Sequence, residues 1–63
     1  MKTEVKFLRL PQVKEITTLS RSSIYRMVAS GEFPKQISIG SNQVVWIKSQ
    51  VDDWMNQQIA GAM

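Results

Sequence analysis

The chain has 63 residues, eight basic and five acidic side chains, a net charge of +3, no cysteine and no histidine. Disulfide staples and a thiolate zinc site are thereby excluded, and the commonest metal ligand and general base is missing. A chain this short buries only about 60% of the surface its unfolded form exposes, so its 43% hydrophobic content supplies one thin core.

Residues 1–6 read as a flexible basic arm carrying Lys2 and Lys6. Val5, Phe7 and Arg9 alternate along an extended stretch, and Phe7 and Leu8 are expected to plug into the core. Pro11 suits the first position of a helix, where its missing N–H costs nothing. Leu10, Val13 and Ile16 then predict a short helix over 11–17, with a weak cap because Leu10 is no N-cap residue. Thr17 and Thr18 break the pattern.

The next helix is bracketed at both ends. Ser20 is an N-cap residue, Leu19 and Ile24 sit at the staple positions around it, and Gly31 supplies a left-handed stop. Ile24, Met27 and Val28 form one apolar stripe. The opposite face presents Ser22, Tyr25, Arg26 and Ala29, flanked by Arg21 and Ser23, and carries no acid. Two short helices with a three-residue join give helix-turn-helix spacing.

Pro34 forces Phe33 into an extended conformation. Residues 36–39 alternate polar and apolar, Gly40-Ser41-Asn42 is turn chemistry, and 43–47 is a β-branched, aromatic return strand. Ser49 to Asp52 matches the S-x-x-D capping pattern, so a third helix is expected there, with Asp52 and Asp53 in its positive first turn. Val51, Trp54, Met55 and Ile59 would line its inner face, and 61–63 would fray.

The expected fold is one domain, mainly α with a small β-hairpin: a compact winged helix-turn-helix over 7–60, in the order helix, helix, hairpin, helix. Its core would hold Leu10, Val13, Ile16, Leu19, Ile24, Met27, Val28, Phe33, Ile37, Ile39, Val44, Trp46, Val51, Trp54 and Met55. Basic charge belongs to the first fifty residues, and the last helix is mildly acidic.

Four blocks in order resemble one family. They are Phe7-Leu8-Arg9-Leu10-Pro11-Gln12-Val13, then Leu19 to Arg26 (L-S-R-S-S-I-Y-R), then Gly31-Glu32-Phe33-Pro34-Lys35, then Trp46 to Trp54 (W-I-K-S-Q-V-D-D-W). Together they resemble the AlpA family of prophage regulators over roughly residues 7–57. The resemblance implies a fold similar to the MerR-type winged-helix DNA-binding domain. It also implies a DNA-binding protein of a prophage or genomic island that acts as transcriptional regulator, as excisionase (recombination directionality factor), or both. Relatives usually place glycine where Thr18 stands, and tend to carry arginine just after the wing-tip glycine, where this chain has Ser41-Asn42-Gln43.

The second helix would then enter the major groove and the 40–43 wing would lie against backbone or minor groove. Arg26, opposite the buried stripe, suits a bidentate contact to guanine, and Arg21 a phosphate or base-edge contact. Ser20, Ser22 and Ser23, near the helix N-terminus, favour phosphate oxygens. Tyr25 either contacts phosphate or packs beside Phe33 or Pro34. Lys35 and Lys48 flank the hairpin near the phosphates. Uncharged Ser41, Asn42 and Gln43 can hydrogen-bond phosphate or reach a minor groove. Trp46 and Trp54 have the chemistry of stacking platforms for single strands, but their apolar spacing assigns them to the core. Asp52 and Asp53 point about 100° apart on a helix and so make no metal pair.

No nucleophile–base pair, glycine-rich phosphate loop or metal set is present, so no enzyme, cofactor or small-molecule substrate is expected. No apolar run is long enough to span a bilayer, so an intracellular chain is expected, and the resemblance implies the bacterial cytoplasm and its nucleoid. Expected partners are double-stranded DNA at an attachment site or promoter, an integrase, and further copies of the chain side by side. A symmetric dimer is not expected, since no long dimerisation helix follows Trp54. The alternative from another class is a small protein-interaction module such as an anti-repressor.

Overall fold

A computed structural model describes residues 5–62. Of the expected flexible arm 1–6, Lys2 lies outside the described residues, whereas Lys6 is tied down, its carbonyl accepting the Lys48 N–H at 2.8 Å. The elements run β1 (Phe7–Leu8), α1 (Leu10–Thr17), α2 (Arg21–Ser30), β2 (Ile37–Ile39), β3 (Gln43–Ile47) and α3 (Lys48–Ala62). This is a winged helix-turn-helix, with one departure from the expected order. The hairpin is part of a three-stranded antiparallel sheet, β1-β3-β2, because Phe7 pairs with Ile47 and Leu8 with Trp46. Ile37 pairs with Val45 and Ile39 with Gln43 across the wing.

Every element except β2, together with the loop after α2, contributes one side chain to the centre. Leu8 of β1, Val13 of α1, Ile24 of α2, Phe33 of the following loop, Trp46 of β3 and Val51 of α3 form a single buried cluster. Burying a side chain of this kind stabilises by roughly 1.5–3 kcal/mol, which is how six residues hold six segments. Leu10, Leu19, Met27, Val28, Val44, Trp54 and Met55 pack around that cluster half-buried, as expected.

Four residues expected to face inward do not: Ile16 and Ile37 of the expected core, Phe7, expected to plug into it, and Ile59, expected on the inner face of the third helix. Phe7, Ile16, Ile37 and Ile59 are exposed, at 49%, 41%, 38% and 60%. The sheet explains Phe7 and Ile37: side chains alternate across a strand, so Trp46 and its partner Leu8 face the core while Val45, Ile37, Ile47 and Phe7 face outward. Ile39 shares that outward row and is likewise absent from the central cluster. Val45, in the same outward row, is nevertheless only 2% exposed.

Both helix starts differ from expectation. α1 begins one residue early, and its end is closed by Gln12, whose Oε1 accepts the Arg9 N–H at 2.8 Å. α3 begins at Lys48, directly from β3, so Ser49 lies inside the helix and is no cap. One orphan amide of its first turn, that of Lys48, donates to Lys6 O at 2.8 Å instead. Asp52 and Asp53 therefore fall beyond the first turn, and Asp52 pairs with Lys48 at 2.8 Å. The helix continues through Gly61 to Ala62, where a frayed tail was expected.

The α1–α2 turn stores backbone strain. Thr18 caps α1 in the left-handed region at φ 64°, and its N–H donates to Lys14 O at 2.8 Å. A β-branched residue is a poor occupant of that conformation. Thr18→Gly is expected to stabilise the chain by about 1 kcal/mol, raising the melting temperature by roughly 4–8 °C. Thermal unfolding by circular dichroism checks this; a lower melting temperature would show that the Thr18 hydroxyl, which donates to Thr17 O, outweighs the strain.

Candidate nucleic-acid interface

α2 forms where the sequence places it because both ends are closed. Ser20 Oγ accepts the Ser23 N–H at 3.2 Å, and Gly31, at φ 84°, returns its N–H to the last turn. Glu32 N–H adds a bond to Met27 O at 2.8 Å. Ile24 is fully buried and fixes the helix's rotation. That rotation leaves Arg21, Ser22, Arg26 and Ala29 exposed. Ser22, Arg26 and Ala29 stand at i, i+4 and i+7 on one outward ridge.

No acid occupies the first turn of α2. Its partial positive charge therefore stands uncompensated beside the Arg21 guanidinium. The Ile24 N–H is bonded to Ser20 O and the Ser23 N–H to Ser20 Oγ, so the amides of Arg21 and Ser22 remain free to meet an anion. Ser20 and Ser23 spend their hydroxyls partly on each other, at 3.0 Å, and Ser23 is half-buried. They build the helix end, while Ser22 stands fully on the outside.

Tyr25 is half-buried, and its ring meets Trp46 edge-on at 6.1 Å. Arg21 lies over the same ring at 5.7 Å. A cation over an aromatic face gains about 0.5–1 kcal/mol at exposed sites and loses freedom, so the guanidinium is pre-positioned. This stack of Arg21 on Tyr25 on Trp46 escaped the sequence reading. Its one signal was the i, i+4 spacing of residues 21 and 25.

Trp46 also ties β3 to the loop between α2 and β2, because its Nε1–H donates to Pro34 O at 2.9 Å. Exposed Lys35 follows directly and enters β2 from a fixed point. Ser41, Asn42 and Gln43 are all exposed at the hairpin tip, after a turn that Gly40 opens at φ 69°. Lys48 sits at the other end of β3, a strand length of about 17 Å from that tip. Its ammonium is engaged with Asp52. The two tryptophans differ in exposure: Trp54 is half-buried. Trp46 is fully buried, and Trp54 packs edge-on to Phe33 at 4.9 Å while its Nε1–H donates to Glu32 O at 2.8 Å.

The sequence matches the family described as prophage CP4-57 regulatory protein (AlpA) over residues 6–59. The chain belongs to the AlpA family. It is 48% identical over 59 residues to the uncharacterized protein ORF88 of Enterobacteria phage P4, covering 94% of this chain and 67% of the phage protein. It is 32% identical over 63 residues to the DNA-binding transcriptional activator AlpA of Escherichia coli (strain K12), covering 90% of each. The AlpA match spans every element from β1 through most of α3, so the exposed α2 ridge and the wing both belong to the shared unit.

Proposed function

We propose that this AlpA-family chain binds double-stranded DNA sequence-specifically and regulates the genes of a prophage or genomic island. The observation that carries the reading is the acid-free outer ridge of α2, where Arg21, Ser22 and Arg26 stand exposed on a helix fixed by Ile24. In this reading α2 enters the major groove, Arg26 takes a guanine edge, and the free amides of Arg21 and Ser22 take a backbone phosphate. Ser41, Asn42 and Gln43 meet backbone or minor groove as the wing. The place of action is the nucleoid of a bacterial cytoplasm; no helix among the described residues is long and apolar enough to cross a membrane.

The relative named as a transcriptional activator supports promoter binding as the first role. Excision with an integrase uses the same DNA-reading surface and is the second role we assign. Footprinting on the element's attachment site and on the gene's own promoter, with excision frequency measured after deletion, separates the two. Binding confined to a promoter, with excision unchanged, would remove the excisionase role. A protein-interaction module such as an anti-repressor would elute from heparin independently of salt, whereas a duplex binder elutes later as salt is lowered.

Lys35 is the cation most suited to a backbone phosphate near the wing. Lys35→Ala is expected to weaken specific and random duplexes alike, and to lower the slope of log K against log salt by about 0.9. Lys48→Ala should change that slope less, because Asp52 already holds its ammonium. Binding isotherms at several salt concentrations measure both. A Lys35→Ala loss confined to one sequence would instead make Lys35 a base reader.

A further inference from the structure

The outer face of the sheet carries an apolar row that is buried at its centre, Val45, and exposed toward its edges, at Phe7 (49%) and Ile37 (38%). Phe7, Ile37 and Ile47 surround buried Val45 there, and Val5, two residues before Phe7, is 62% exposed. Two cations border it by the same alternation: Lys35, two residues before Ile37, and Arg9, two residues after Phe7. The positions that alternate onto this face, from Val5 through Arg9 and from Lys35 through Ile47, include no acid. A symmetric face-to-face pairing of two copies would therefore bring like charges together. The face calls for an apolar anchor carried on a neutral or acidic element.

α3 ends in such an element. From Asn56 to Ala62 every residue of the helix is exposed, so its last turns extend clear of the core. Helical turns without packing are marginal in water, and a docked partner would stabilise them. Ile59 stands on them 60% exposed. Between Ser49 and Ala62 the only charges are Asp52 and Asp53, and the last turn carries no basic residue to offset the negative end of the helix dipole.

We infer that the α3 end of one copy docks, through Ile59, on the outer sheet face of a second copy. The contact is heterologous: one surface gives and a different one receives, so copies add in a row without closing. It deepens the DNA-binding reading, on which it rests, because a duplex with adjacent sites aligns the copies head to tail.

The test uses the full chain and duplexes bearing one or two adjacent copies of a site selected from random-sequence DNA. Wild type is expected to bind the second site with a cooperativity factor of about 5–150-fold. Ile59→Glu and Ile37→Glu should each bind the single site like wild type yet lose that factor. Their equimolar mixture should regain part of it, because in one of the four ways of filling the two sites an intact giving surface meets an intact receiving one. If Ile37→Glu loses single-site binding, Val5→Glu takes its place on the same face. Independent binding by wild type, cooperativity that survives Ile59→Glu, or a mixture that does not recover would each overturn the head-to-tail contact while leaving DNA binding intact. Absence of single-site binding by wild type would overturn the DNA-binding reading and this contact with it.

Discussion

Trp46→Ala is expected to leave most of the chain unfolded at room temperature. The ring is fully buried where the sheet meets α2, through Tyr25, and the loop before β2, through Pro34. Truncating a buried tryptophan costs about 3–5 kcal/mol in lost burial and residual cavity. At 0.05–0.15 kcal/mol per residue, a 63-residue chain has only about 3–9 kcal/mol in all. The substitution also strips Pro34 O of its donor and Tyr25 of its edge contact, so Arg21 loses its platform. Circular dichroism during heating measures the outcome. Trp46→Phe, which keeps an aromatic ring but not the Nε1–H, should melt between wild type and the alanine variant. A cooperative transition for Trp46→Ala near the wild-type temperature would show that Trp46 is not central to the core.

Arg26→Ala should cost about 1–3 kcal/mol on the specific site, roughly 5- to 150-fold in affinity, and much less on random DNA. Arg26 is exposed on the ridge of α2 opposite the fully buried Ile24, so its removal leaves the core untouched and the melting temperature close to wild type. Arg21→Ala differs in kind. That guanidinium is held over Tyr25 beside the free first-turn amides, so its loss should weaken both duplexes and reduce the salt slope. Arg26→Lys is a sharp comparison, because an ammonium keeps the charge but cannot form the planar two-bond fork. Equal losses for Arg26→Ala on specific and random duplexes would move Arg26 from base reading to phosphate contact.

The readable parts of the fold were those specified locally. α2 carries its cap, its stop and its buried stripe within residues 19–31, and all three recur in the structure. The wing follows from Pro34, Gly40 and alternating apolar residues. What escaped depends on partners distant in sequence. β1 is only two residues long and is a strand because β3 pairs with it forty residues later. The start of α3 was misplaced for a related reason: a local capping pattern at Ser49 competed with Lys6 O, and the distant carbonyl closes the helix. Val45 escaped because period-two reading put Val44 and Trp46 inside. The unbroken run Val44-Val45-Trp46-Ile47 instead has the signature of a strand covered on both faces.

At the interface the same division holds. The exposure of Arg21, Ser22 and Arg26 followed from the helical period alone, whereas the anchoring of Arg21 through Tyr25 needed Trp46 in place. Lys48 looked free in sequence and is engaged by Asp52 four residues on, a spacing that was visible but was assigned to the dipole.

Reading of the major groove by α2 is tested most directly by guanine N7 methylation on a selected duplex with dimethyl sulfate. Wild-type protein should protect one or more guanines of the site, and Arg26→Ala, at concentrations that restore occupancy, should lose protection at one of them and keep the rest. A site occupied with no guanine protected in the major groove, or a protection pattern unchanged by Arg26→Ala, would contradict the assignment of Arg26 as a base reader.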